Sequence, residues 1–558
     1  MNKPLSEYPR PQLYRESYIS LNGEWEYKFS KERDIPNPNF YDGKIIVPFS
    51  PETKLSGVGR TLQPFEYLFY KLEFSLPKGF VKDKVILHFT AIDQIAEVYL
   101  NGKYVGGHVG GFLPFEFDIK PHLEEKNILI VRVQDFTDTA YYSRGKQKLE
   151  HGGIWYTPQS GIYMPVWLES VSEKYVEEVK FTPDIDKEEI IINIKSKAEE
   201  AIIHIFGMDR PITCNKDNHI KVKDMRLWSP EDPYLYFVRI SIDGYDEVTS
   251  YFAMRKFSVM KDENNIPRLA LNNKPLFMKG VLDQGYYKDG LLTPSSYEDY
   301  IKDIEFARSL GFNTIRKHIK IEIPRWYFEC DKRGVIVWQD FVNGGTSYNW
   351  FFITLPLFLN RHVDDHKYKK YGRLDEIGRE ETIQEFKDTI KYLYNCPCIG
   401  LWTIFNEGWG QFDSKPIYEE LMKIDNTRIY DHASGWYDQK ITDVRSFHIY
   451  FRGFKPPKHE NRCITLSEFG GLVLPIEGHV IKGNSVYTKY DSKEEFIKAY
   501  EKMINRDVVN NIPKGLSASI YTQLTDVEEE TNGFITFDRE IVKVEPEIIK
   551  AINDKIHL

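Results

Sequence analysis

The sequence is poor in cysteine and has no long apolar run, and both absences limit what the chain can be. Five cysteines in 558 residues are too few, and odd in number, for a disulfide framework, so we expect free thiols. No segment is apolar over the roughly 18 residues that a membrane span needs. The start, Met1 to Arg10, has no apolar core of a signal peptide. We therefore expect a cytoplasmic protein without a membrane partner.

A surplus of positive charge is also missing. The chain has 74 lysines and arginines against 83 aspartates and glutamates, a formal net charge of -9. Proteins that bind nucleic acids neutralise phosphates with a basic surface, so this balance disfavours a nucleic-acid partner. Aromatic residues, in contrast, are plentiful at 15%. They are typical both of a β-sandwich core and of surfaces that stack on sugar rings, and composition does not distinguish the two.

The first half of the chain has the residue pattern of β-strands. One hydrophobic core supports roughly 250 to 300 residues, so two to four domains are expected. Apolar residues alternate with polar ones from Trp25 to about Val171, and Asn101-Gly102 is a signal for a type I′ hairpin. We interpret residues 1–172 as a jelly-roll sandwich. The shorter all-β stretch of residues 173–261 is interpreted as an immunoglobulin-like sandwich.

After about Asp262, short apolar runs alternate with helical patterns, which is typical of a parallel sheet built from βα units. The eight candidate strands are Leu276–Leu282, Thr314–His318, Val335–Phe341, Ile399–Phe405, Ile429–Ala433, Val444–Ile449, Cys463–Ser467 and Ser517–Gln523. Helical spacing of apolar residues occurs in 301–310 and 383–393. Residues 262–558 are therefore predicted to form a (β/α)8 TIM barrel.

In such a barrel the chemistry lies at the carboxyl ends of the strands. The fourth run ends in Asn406 and Glu407, the seventh is followed by Glu468, and the third ends near Asp340. A lone glutamate at a strand end is more often a surface ion pair or a helix-terminal charge. Two glutamates that each follow an apolar run favour a shared chemical function, whereas Asp340 leaves both interpretations open.

Two carboxyl groups that face each other across a barrel mouth suit the cleavage of a glycosidic bond. One protonates the departing oxygen, and the other meets the positively charged carbon of the transition state. Carboxyl groups about 5 to 5.5 Å apart would make the second one a nucleophile that retains the anomeric configuration. We expect an apolar setting to raise the pKa of Glu407 and hydrogen-bond donors to keep Glu468 ionised.

Six ordered motifs make the chain resemble glycoside hydrolase family 2, the family of β-galactosidases, β-glucuronidases and β-mannosidases, over nearly its whole length. They are LNGEW at 21–25, YLNGKYVG at 99–106, SGIYMPVW at 160–167, LWSP at 227–230, NE at 406–407 and SEFGG at 467–471. The resemblance implies a jelly-roll domain, an immunoglobulin-like domain and a TIM barrel, in the order that the patterns predict.

The resemblance also implies roles for individual residues. Glu407 would be the acid/base, Glu468 the nucleophile, and Asn406 the residue that holds the 2-hydroxyl of the sugar. The remaining candidates for substrate binding lie on the predicted strands or just after them and are Arg316, His318, Asp340, Trp436, His448, Tyr450 and Gln523. No metal and no cofactor are expected.

Two departures from the family pattern bear on the substrate. The family usually has Arg, two residues, His and then a nearby Pro, whereas here Arg316-Lys-His318-Ile-Lys has a different spacing. The Asn-x-Lys pair with which β-glucuronidases grip a carboxylate is not evident around Asn532-Gly-Phe534. Asn553-Asp-Lys555 has the right letters, but it lies at the extreme C-terminus.

These observations predict a retaining exo-β-glycosidase that acts on a small-molecule or oligosaccharide β-glycoside, with β-galactosidase-like specificity favoured. The alternatives are β-glucuronidase, β-galacturonidase or β-mannosidase specificity, and a carbohydrate-binding protein that has lost the chemistry. A metal-dependent hydrolase is a further alternative, but no carboxylate-histidine cluster occurs at one strand end. The chain is a possible homo-oligomer, as many members of the family associate.

Two segments around the predicted mouth call for separate interpretation. Residues 343–372 form a long insertion after the third strand, with Tyr348, Trp350, Phe351 and Phe352 clustered in it. We hypothesise that it walls the aglycone side of the pocket, with a subunit contact as the alternative. The acidic run Asp526–Glu530 follows the eighth strand; we interpret it as solvated charge, with cation or hydroxyl binding as the alternative.

Overall fold

The computed structural model describes residues 3–34, 40–354, 356, 362–481 and 487–558. Its first unit is an antiparallel sandwich of a six-stranded and a four-stranded sheet, with a short two-stranded sheet beside them. The strands are β1 (Tyr18–Ser20), β2 (Gly23–Ser30), β3 (Gly43–Val47), β4 (Tyr67–Phe74), β5 (Lys84–Phe89), β6 (Ile92–Asp93), β7 (Ile95–Leu100), β8 (Lys103–Val109), β9 (Phe115–Asp118), β10 (Asn127–Gln134), β11 (Gly161–Ile162) and β12 (Val166–Val171).

The alternation seen in the sequence places one face of each sheet in the core of this sandwich. Val85, Leu87 and Phe89 lie on β5, which pairs with β12 and β9, and all three are fully buried. Asn101 and Gly102 join β7 to β8 with φ angles of 51° and 76°. Both values are the positive angles of a type I′ turn, so the predicted hairpin is confirmed.

The second unit is a smaller sandwich of a three-stranded and a four-stranded antiparallel sheet. Its strands are β13 (Glu178–Asp184), β14 (Glu189–Lys195), β15 (Glu200–Ile205), β16 (Met208–Thr213), β17 (Asn218–Lys221), β18 (Tyr236–Ile242) and β19 (Asp246–Phe252). The corner before β18 carries Trp228, which is buried and donates a hydrogen bond from Nε1 to the carbonyl of Asp331 at 2.8 Å. This corner therefore joins the second unit to the barrel.

The third unit begins with a small antiparallel sheet and continues as an eight-stranded parallel sheet with the order β27-β26-β25-β24-β23-β30-β29-β28. The strands are β20 (Phe257–Lys261), β21 (Pro267–Leu271), β22 (Lys274–Pro275), β23 (Met278–Asp283), β24 (Thr314–Lys317), β25 (Ile336–Asp340), β26 (Ile399–Thr403), β27 (Ile429–Asp431), β28 (Val444–Ile449), β29 (Cys463–Gly470) and β30 (Leu516–Thr522). All eight predicted strands are therefore confirmed.

The two outer strands of this order, β27 and β28, complete the barrel through side chains. Ser446 on β28 accepts a hydrogen bond from the Gly435 amide at 3.1 Å and donates one to the Ala433 carbonyl at 3.3 Å. Both partners lie just after β27. The carboxyl ends of all eight strands therefore meet at one mouth, as in a TIM barrel.

Helices follow the barrel strands and bury one face each. They are α1 (Tyr297–Ser309), α2 (Pro324–Arg333), α3 (Trp350–Thr354), α4 (Glu376–Leu393), α5 (Ser414–Ile424), α6 (Lys493–Met503) and α7 (Pro546–Asn553). The two helices predicted from apolar spacing are α1 and α4. Helix α2 ends at Gly334, where φ is 67° and a Cβ atom would lie 2.5 Å from the carbonyl oxygen of Pro230. Only glycine satisfies both conditions.

A segment of the first sandwich, residues 141–157 between β10 and β11, reaches the barrel and is called the strap below. Ser143 forms an antiparallel bridge with Gly344, and the Arg144 amide donates to the Asn343 carbonyl at 3.0 Å. The barrel and the strap share one hydrophobic cluster, which includes Trp155 and Tyr156. The strap therefore belongs to the rim of the mouth.

Two further findings concern cysteines and membranes. Cys214, Cys330, Cys396, Cys398 and Cys463 are all free and buried, as expected. Within the described ranges, none of the helices combines the length and the apolar character that crossing a membrane requires.

Candidate active site

Glu407 lies in the loop that follows β26. Its φ angle is 51°, and its amide donates to the carbonyl of Ser434 at 3.0 Å, so the backbone turns sharply at this residue. Such positive φ angles cost free energy in a residue with a side chain and are often found at functional sites. The side chain is 8% exposed, and its Oε1 lies 2.7 Å from Nδ1 of His448 on β28.

Glu468 lies within β29 and is 4% exposed. Nη1 of Arg316 donates to its Oε1 at 3.1 Å, and the hydroxyl of Tyr450 donates to its Oε2. Nε2 of His448 lies 3.6 Å from the same Oε1. Both carboxylate oxygens of Glu468 therefore face donors, which favours the ionised form.

The two glutamates lie close together at the mouth. A carboxylate oxygen of Glu407, a ring nitrogen of His448 and a carboxylate oxygen of Glu468 all lie within 4.8 Å of one another. His448 stands between the glutamates, with Nδ1 toward Glu407 and Nε2 toward Glu468. Its Nε2 is also 3.0 Å from the hydroxyl of Ser434.

The surroundings move the two pKa values in opposite directions. Burial raises the pKa of Glu407, the negative charge of Glu468 adds to this effect, and the hydrogen bond to His448 opposes it. Burial would raise the pKa of Glu468 as well. There, however, the electrostatic effects of His448 and Arg316, together with the hydrogen bond from Tyr450, outweigh burial and lower the pKa to about 2. A proton held by the pair therefore resides on Glu407.

Arg316 on β24 is fully buried and organises the floor of the site. Its Nε donates to both oxygens of Asp340, at 2.9 and 3.2 Å, and its Nη2 donates to Oδ1 of Asn406 at 2.9 Å. Because Oδ1 of Asn406 accepts this bond, the amide nitrogen points elsewhere. That nitrogen is buried and donates to no described residue, so it is available to a ligand hydroxyl.

His318 and Asp340 form a second layer beside Arg316. Nδ1 of His318 lies 2.8 Å from Oδ2 of Asp340, and both side chains are buried. Burial lowers the pKa of His318 to about 4, so the ring is neutral at pH 7. Burial acts against ionisation of Asp340, but the charge of Arg316 outweighs it and lowers the pKa of Asp340.

Trp436 and Gln523 are the remaining two predicted site residues. The ring centroid of Trp436 is 6.0 Å from that of His448, at the edge of the site. Gln523 is fully buried; its Nε2 donates to Asn532 at 2.8 Å and its Oε1 accepts from Gln284 at 3.0 Å. Gln523 is thus bonded to these two amides and not to either glutamate, and its role in binding stays a prediction.

The interpretation of the acidic run as solvated charge is wrong. Glu528 and Glu530 are buried, and the run binds the strap. The Thr157 amide donates to both oxygens of Glu528, at 3.0 and 3.1 Å, the Gly153 amide donates to Glu529 at 2.8 Å, and the Tyr156 hydroxyl donates to Glu530. The donors come from a distant part of the chain, so neighbouring residues gave no sign of them.

Sequence reasoning missed Lys146 of the strap, which lies beside the site. Lys146 is 9% exposed, and its Nζ is 3.9 Å from Oε2 of Glu530 and 5.9 Å from the ring centroid of Trp409. Its charge acts on both Glu407 and His318. A single lysine in an irregular stretch carries no pattern that would have identified it.

The long insertion borders the same mouth. The ring of Tyr348 lies 6.2 Å from Trp155 of the strap and 6.5 Å from Trp409, and Phe352 stacks on Tyr437 at 4.7 Å. The side chain of Trp350, residue 355 and residues 357–361 lie outside the described residues. The predicted aglycone wall stays a prediction.

Glu407, His448 and Glu468 also offer ligand atoms close enough for a metal ion. This is the carboxylate-histidine cluster that sequence reasoning did not find, because its members come from three strands. Arg316, however, donates to Glu468 itself and places a permanent positive charge beside the cluster. That charge opposes a cation and suits an acid/base pair. Among the described residues, two other groups offer ligand atoms at a similar spacing, namely Asp364, Asp365 and His366, and His479, Asp538 and Glu540.

The chain matches three family descriptions in order. Residues 59–170 match "Glycosyl hydrolases family 2, sugar binding domain", residues 177–255 match "Glycosyl hydrolases family 2", and residues 263–540 match "Glycosyl hydrolases family 2, TIM barrel domain". These ranges follow the two sandwiches and the barrel.

Sequence relatives include β-galactosidases. One from Thermoanaerobacter pseudethanolicus is 22% identical over 500 residues, which cover 83% of this chain and 62% of the relative. One from Photobacterium profundum is 24% identical over 76% of this chain and 43% of the relative. A putative β-glucuronidase from Formosa agariphila is 24% identical over 58% of this chain and 37% of the relative. The chain thus spans less than two thirds of the length of these relatives.

Similar solved structures cover nearly the whole of both chains. A β-D-glucuronidase from Dictyoglomus thermophilum has a TM-score of 0.75 at 20% identity, over 98% of this chain and 99% of that one. A GH2 β-galacturonidase from Eisenbergiella tayi has a TM-score of 0.71 at 17% identity, over 98% of each chain. At such identities the likeness establishes a common fold.

Proposed function

The chain belongs to glycoside hydrolase family 2, and on that premise we propose that it is a retaining exo-β-glycosidase that uses Glu407 as acid/base and Glu468 as nucleophile. The observation that carries the proposal is the distance within the pair, because one carboxylate oxygen of Glu407 lies within 4.8 Å of one carboxylate oxygen of Glu468. Retaining glycosidases have carboxyl groups about 5 to 5.5 Å apart, whereas inverting ones need about 6.5 to 9.5 Å to admit a water molecule.

The two pKa shifts support this division of roles within the pair. Glu407 holds a proton and donates it to the glycosidic oxygen as the bond to the aglycone breaks. Glu468 is ionised and attacks the anomeric carbon, which forms a covalent glycosyl-enzyme. Glu407, now a carboxylate, takes a proton from a water molecule. The resulting hydroxide attacks the same carbon, releases the sugar with retained configuration and leaves Glu468 ionised.

The neighbours of the pair support these steps. Arg316 and Tyr450 hold the Glu468 carboxylate in one orientation and stabilise its charge before the attack. His448 is hydrogen-bonded to Glu407 and positions its carboxyl group. The amide nitrogen of Asn406, which donates to no described residue, would donate to the 2-hydroxyl of the sugar, where a hydrogen bond strengthens in the transition state.

The shape of the mouth favours removal of a terminal sugar. The strap, the insertion and the loop after β30 contact one another beside it. Segments that crowd the mouth suit a site that admits one end of a sugar chain, whereas cleavage within a chain needs an open cleft. The glycone is proposed to be galactose-like, and the similar solved structures named as β-glucuronidases make a glucuronide the second candidate.

A panel of aryl β-glycosides tests this function. We expect release of the aryl alcohol from at least one substrate and, by proton NMR, a first-formed sugar with the β-configuration. Glu468→Ala should abolish turnover, and azide should restore it by forming a glycosyl azide of inverted configuration. Glu419→Gln, on the exposed face of α5, is the matched control and should behave as the wild type.

Other outcomes would contradict the proposal in distinguishable ways. A first-formed α-sugar would indicate inversion. Binding of sugars without turnover would identify a carbohydrate-binding protein on the same scaffold. Loss of activity with EDTA and its recovery with zinc would favour a metal-dependent hydrolase instead.

A further inference from the structure

Lys146, Tyr156, Tyr487 and Glu530 form a group that none of the proposed catalytic steps uses, and they are called the rim cluster below. Lys146 and Tyr156 come from the strap of the first sandwich, and Glu530 follows β30 of the barrel. The Tyr156 hydroxyl donates to Oε2 of Glu530, and Tyr487 is also hydrogen-bonded to Glu530. The cluster therefore joins two units of the fold at the mouth.

The rim cluster adjoins both proposed catalytic residues. The ring of Tyr487 lies 5.3 Å from the ring of Tyr450, whose hydroxyl donates to Glu468. Nζ of Lys146 lies 5.9 Å from the ring centroid of Trp409, two residues after Glu407. A sugar held between the two glutamates therefore comes within reach of this cluster.

Lys146 has unused donors. The side chain is nine-tenths buried, yet its ammonium donates no hydrogen bond to the described residues, and its ion pair with Glu530 is long at 3.9 Å. An ammonium group carries three donors, and a buried one is costly when they are unpaired. The ring of Tyr156, 5.3 Å away, satisfies the charge only in part.

Glu530 presents the complementary chemistry. An ionised carboxylate accepts about four hydrogen bonds, and the tyrosine hydroxyls use some of that capacity. Donors on Lys146 and acceptors on Glu530 therefore face each other across 3.9 Å. Neighbouring sugar hydroxyls, each both donor and acceptor, match such a pair, because one hydroxyl oxygen accepts from the ammonium while a hydroxyl hydrogen is donated to the carboxylate.

We propose that Lys146 and Glu530 form a recognition site for hydroxyl groups of an uncharged glycone and that Glu530 discriminates against uronic acids. The inference rests on the proposed function and names its substrate class. A uronate would bring a fourth carboxyl group beside Glu530, Glu407 and Glu468, and the ammonium of Lys146 already faces the carboxylate of Glu530. Repulsion of the wrong substrate is as effective a source of specificity as attraction of the right one.

Matched substrate pairs test the proposal. Aryl β-galactoside against aryl β-galacturonide, and aryl β-glucoside against aryl β-glucuronide, differ only in oxidation at C6. For the wild type we expect kcat/KM to favour the neutral member of the better pair by roughly 100-fold or more, since buried polar groups reject a mismatched partner strongly.

The variants Glu530→Gln and Lys146→Met should each lower kcat/KM on the neutral substrate by about 10- to 100-fold. Glu530→Gln should in addition shrink the preference over the uronide, because it removes the repelling charge and keeps the size. A misfolded fraction lowers both rates of a pair equally, so the ratio remains informative even if a variant is unstable. Glu419→Gln serves as the control with an unchanged ratio.

Two results would overturn the inference alone, namely a wild-type preference for the uronide or an unchanged neutral-to-uronide ratio in Glu530→Gln. Absence of hydrolysis for every glycoside in the panel would instead overturn the proposed function, and this inference with it.

Discussion

Protonation of the Glu407–Glu468 pair depends on a few named contacts. Glu407 has a single strong partner, His448, in a buried setting, whereas Glu468 faces Arg316, Tyr450 and His448 at once. Because the two carboxylates lie so close together, the repulsion between their negative charges favours the state in which the pair holds one proton. The division of labour between two chemically identical side chains thus arises from their neighbours.

The pH dependence of the rate should follow from these shifts. Activity requires ionised Glu468, so its acid limb lies near the pKa of about 2 unless unfolding intervenes first. Activity also requires protonated Glu407, so the rate falls on the alkaline side as that proton is lost, and burial moves this limb upward from the ordinary glutamate range. In Glu407→Gln, a dinitrophenyl glycoside, which needs no acid, should be cleaved with the alkaline limb absent. Persistence of that limb would contradict the assignment of Glu407.

Arg316 offers a second test at the residue scale. Lysine cannot reproduce its simultaneous bonds to Asp340, Asn406 and Glu468. We expect Arg316→Lys to lower kcat by about 10² to 10³. If the substitution weakens the contact with Glu468, the pKa of that carboxyl rises and the acid limb moves to higher pH. The measurement is a pH–rate profile, with the exposed Arg33→Lys as control; equal profiles for the two variants would contradict the role of Arg316.

At the scale of elements, the insertion after β25 is expected to contact the aglycone. Tyr348 anchors it, because its hydroxyl accepts from Asn343 and donates to Gly344, both at 2.8 Å. Tyr348→Ala should raise KM about tenfold for a disaccharide, the equivalent of about 1.4 kcal/mol of lost binding, and much less for a small aryl glycoside. Phe351→Ser, at a position 73% exposed in the same insertion, is the matched control. Equal KM changes for both substrates would contradict an aglycone wall.

A buried ion-pair network joins the two sandwiches. Arg15 donates to Asp246 through Nε at 2.9 Å and Nη2 at 2.8 Å, and to Glu169 through Nη1 at 3.0 Å. Arg15→Met leaves two buried carboxylates short of a partner and should lower the free energy of unfolding by about 3 to 5 kcal/mol. Chemical denaturation measures the loss. The exposed Arg33→Met should leave the midpoint unchanged, and an unchanged midpoint for Arg15→Met would contradict the role of the network.

The elements themselves were predictable, and their long-range partners were not. Strands such as β5 and β26 are recognisable from alternating apolar and polar residues or from a short continuous apolar run. Both patterns depend only on neighbours in sequence. The carboxyl-end rule then located Glu407 and Glu468 among 83 acidic residues. Lys146 and the burial of Glu528 depend on contacts across more than 300 residues. No local pattern encodes such contacts, so the acidic run was misinterpreted.

At the scale of the whole molecule, the barrel shares part of its core with the two sandwiches. Its hydrophobic cluster includes Trp155 of the strap and Trp228 of the second sandwich. The buried carboxylate of Asp331 in α2 accepts a hydrogen bond from the hydroxyl of Tyr251 at 2.7 Å, and Tyr251 belongs to β19. Removal of the sandwiches would expose apolar surface and leave Asp331 without this donor.

We therefore expect residues 262–558, expressed alone, to be insoluble or to lack the near-ultraviolet circular dichroism of packed aromatic rings, and to be inactive on every aryl glycoside that the full chain cleaves. The full chain purified in parallel is the control. A soluble, active barrel would contradict both the shared core and the contribution of the strap to the site.

The five buried thiols can report which part of the molecule opens first. Cys214 lies in the separate core of the second sandwich, whereas Cys330, Cys396, Cys398 and Cys463 lie in the cluster shared by the barrel and its neighbours. An alkylating reagent reaches each group only when its surroundings open. Mass spectrometry during gentle warming would therefore distinguish two kinds of species. A protein with one alkylated cysteine has opened only in the small sandwich, whereas a protein with label on the other four cysteines has opened in the barrel as well.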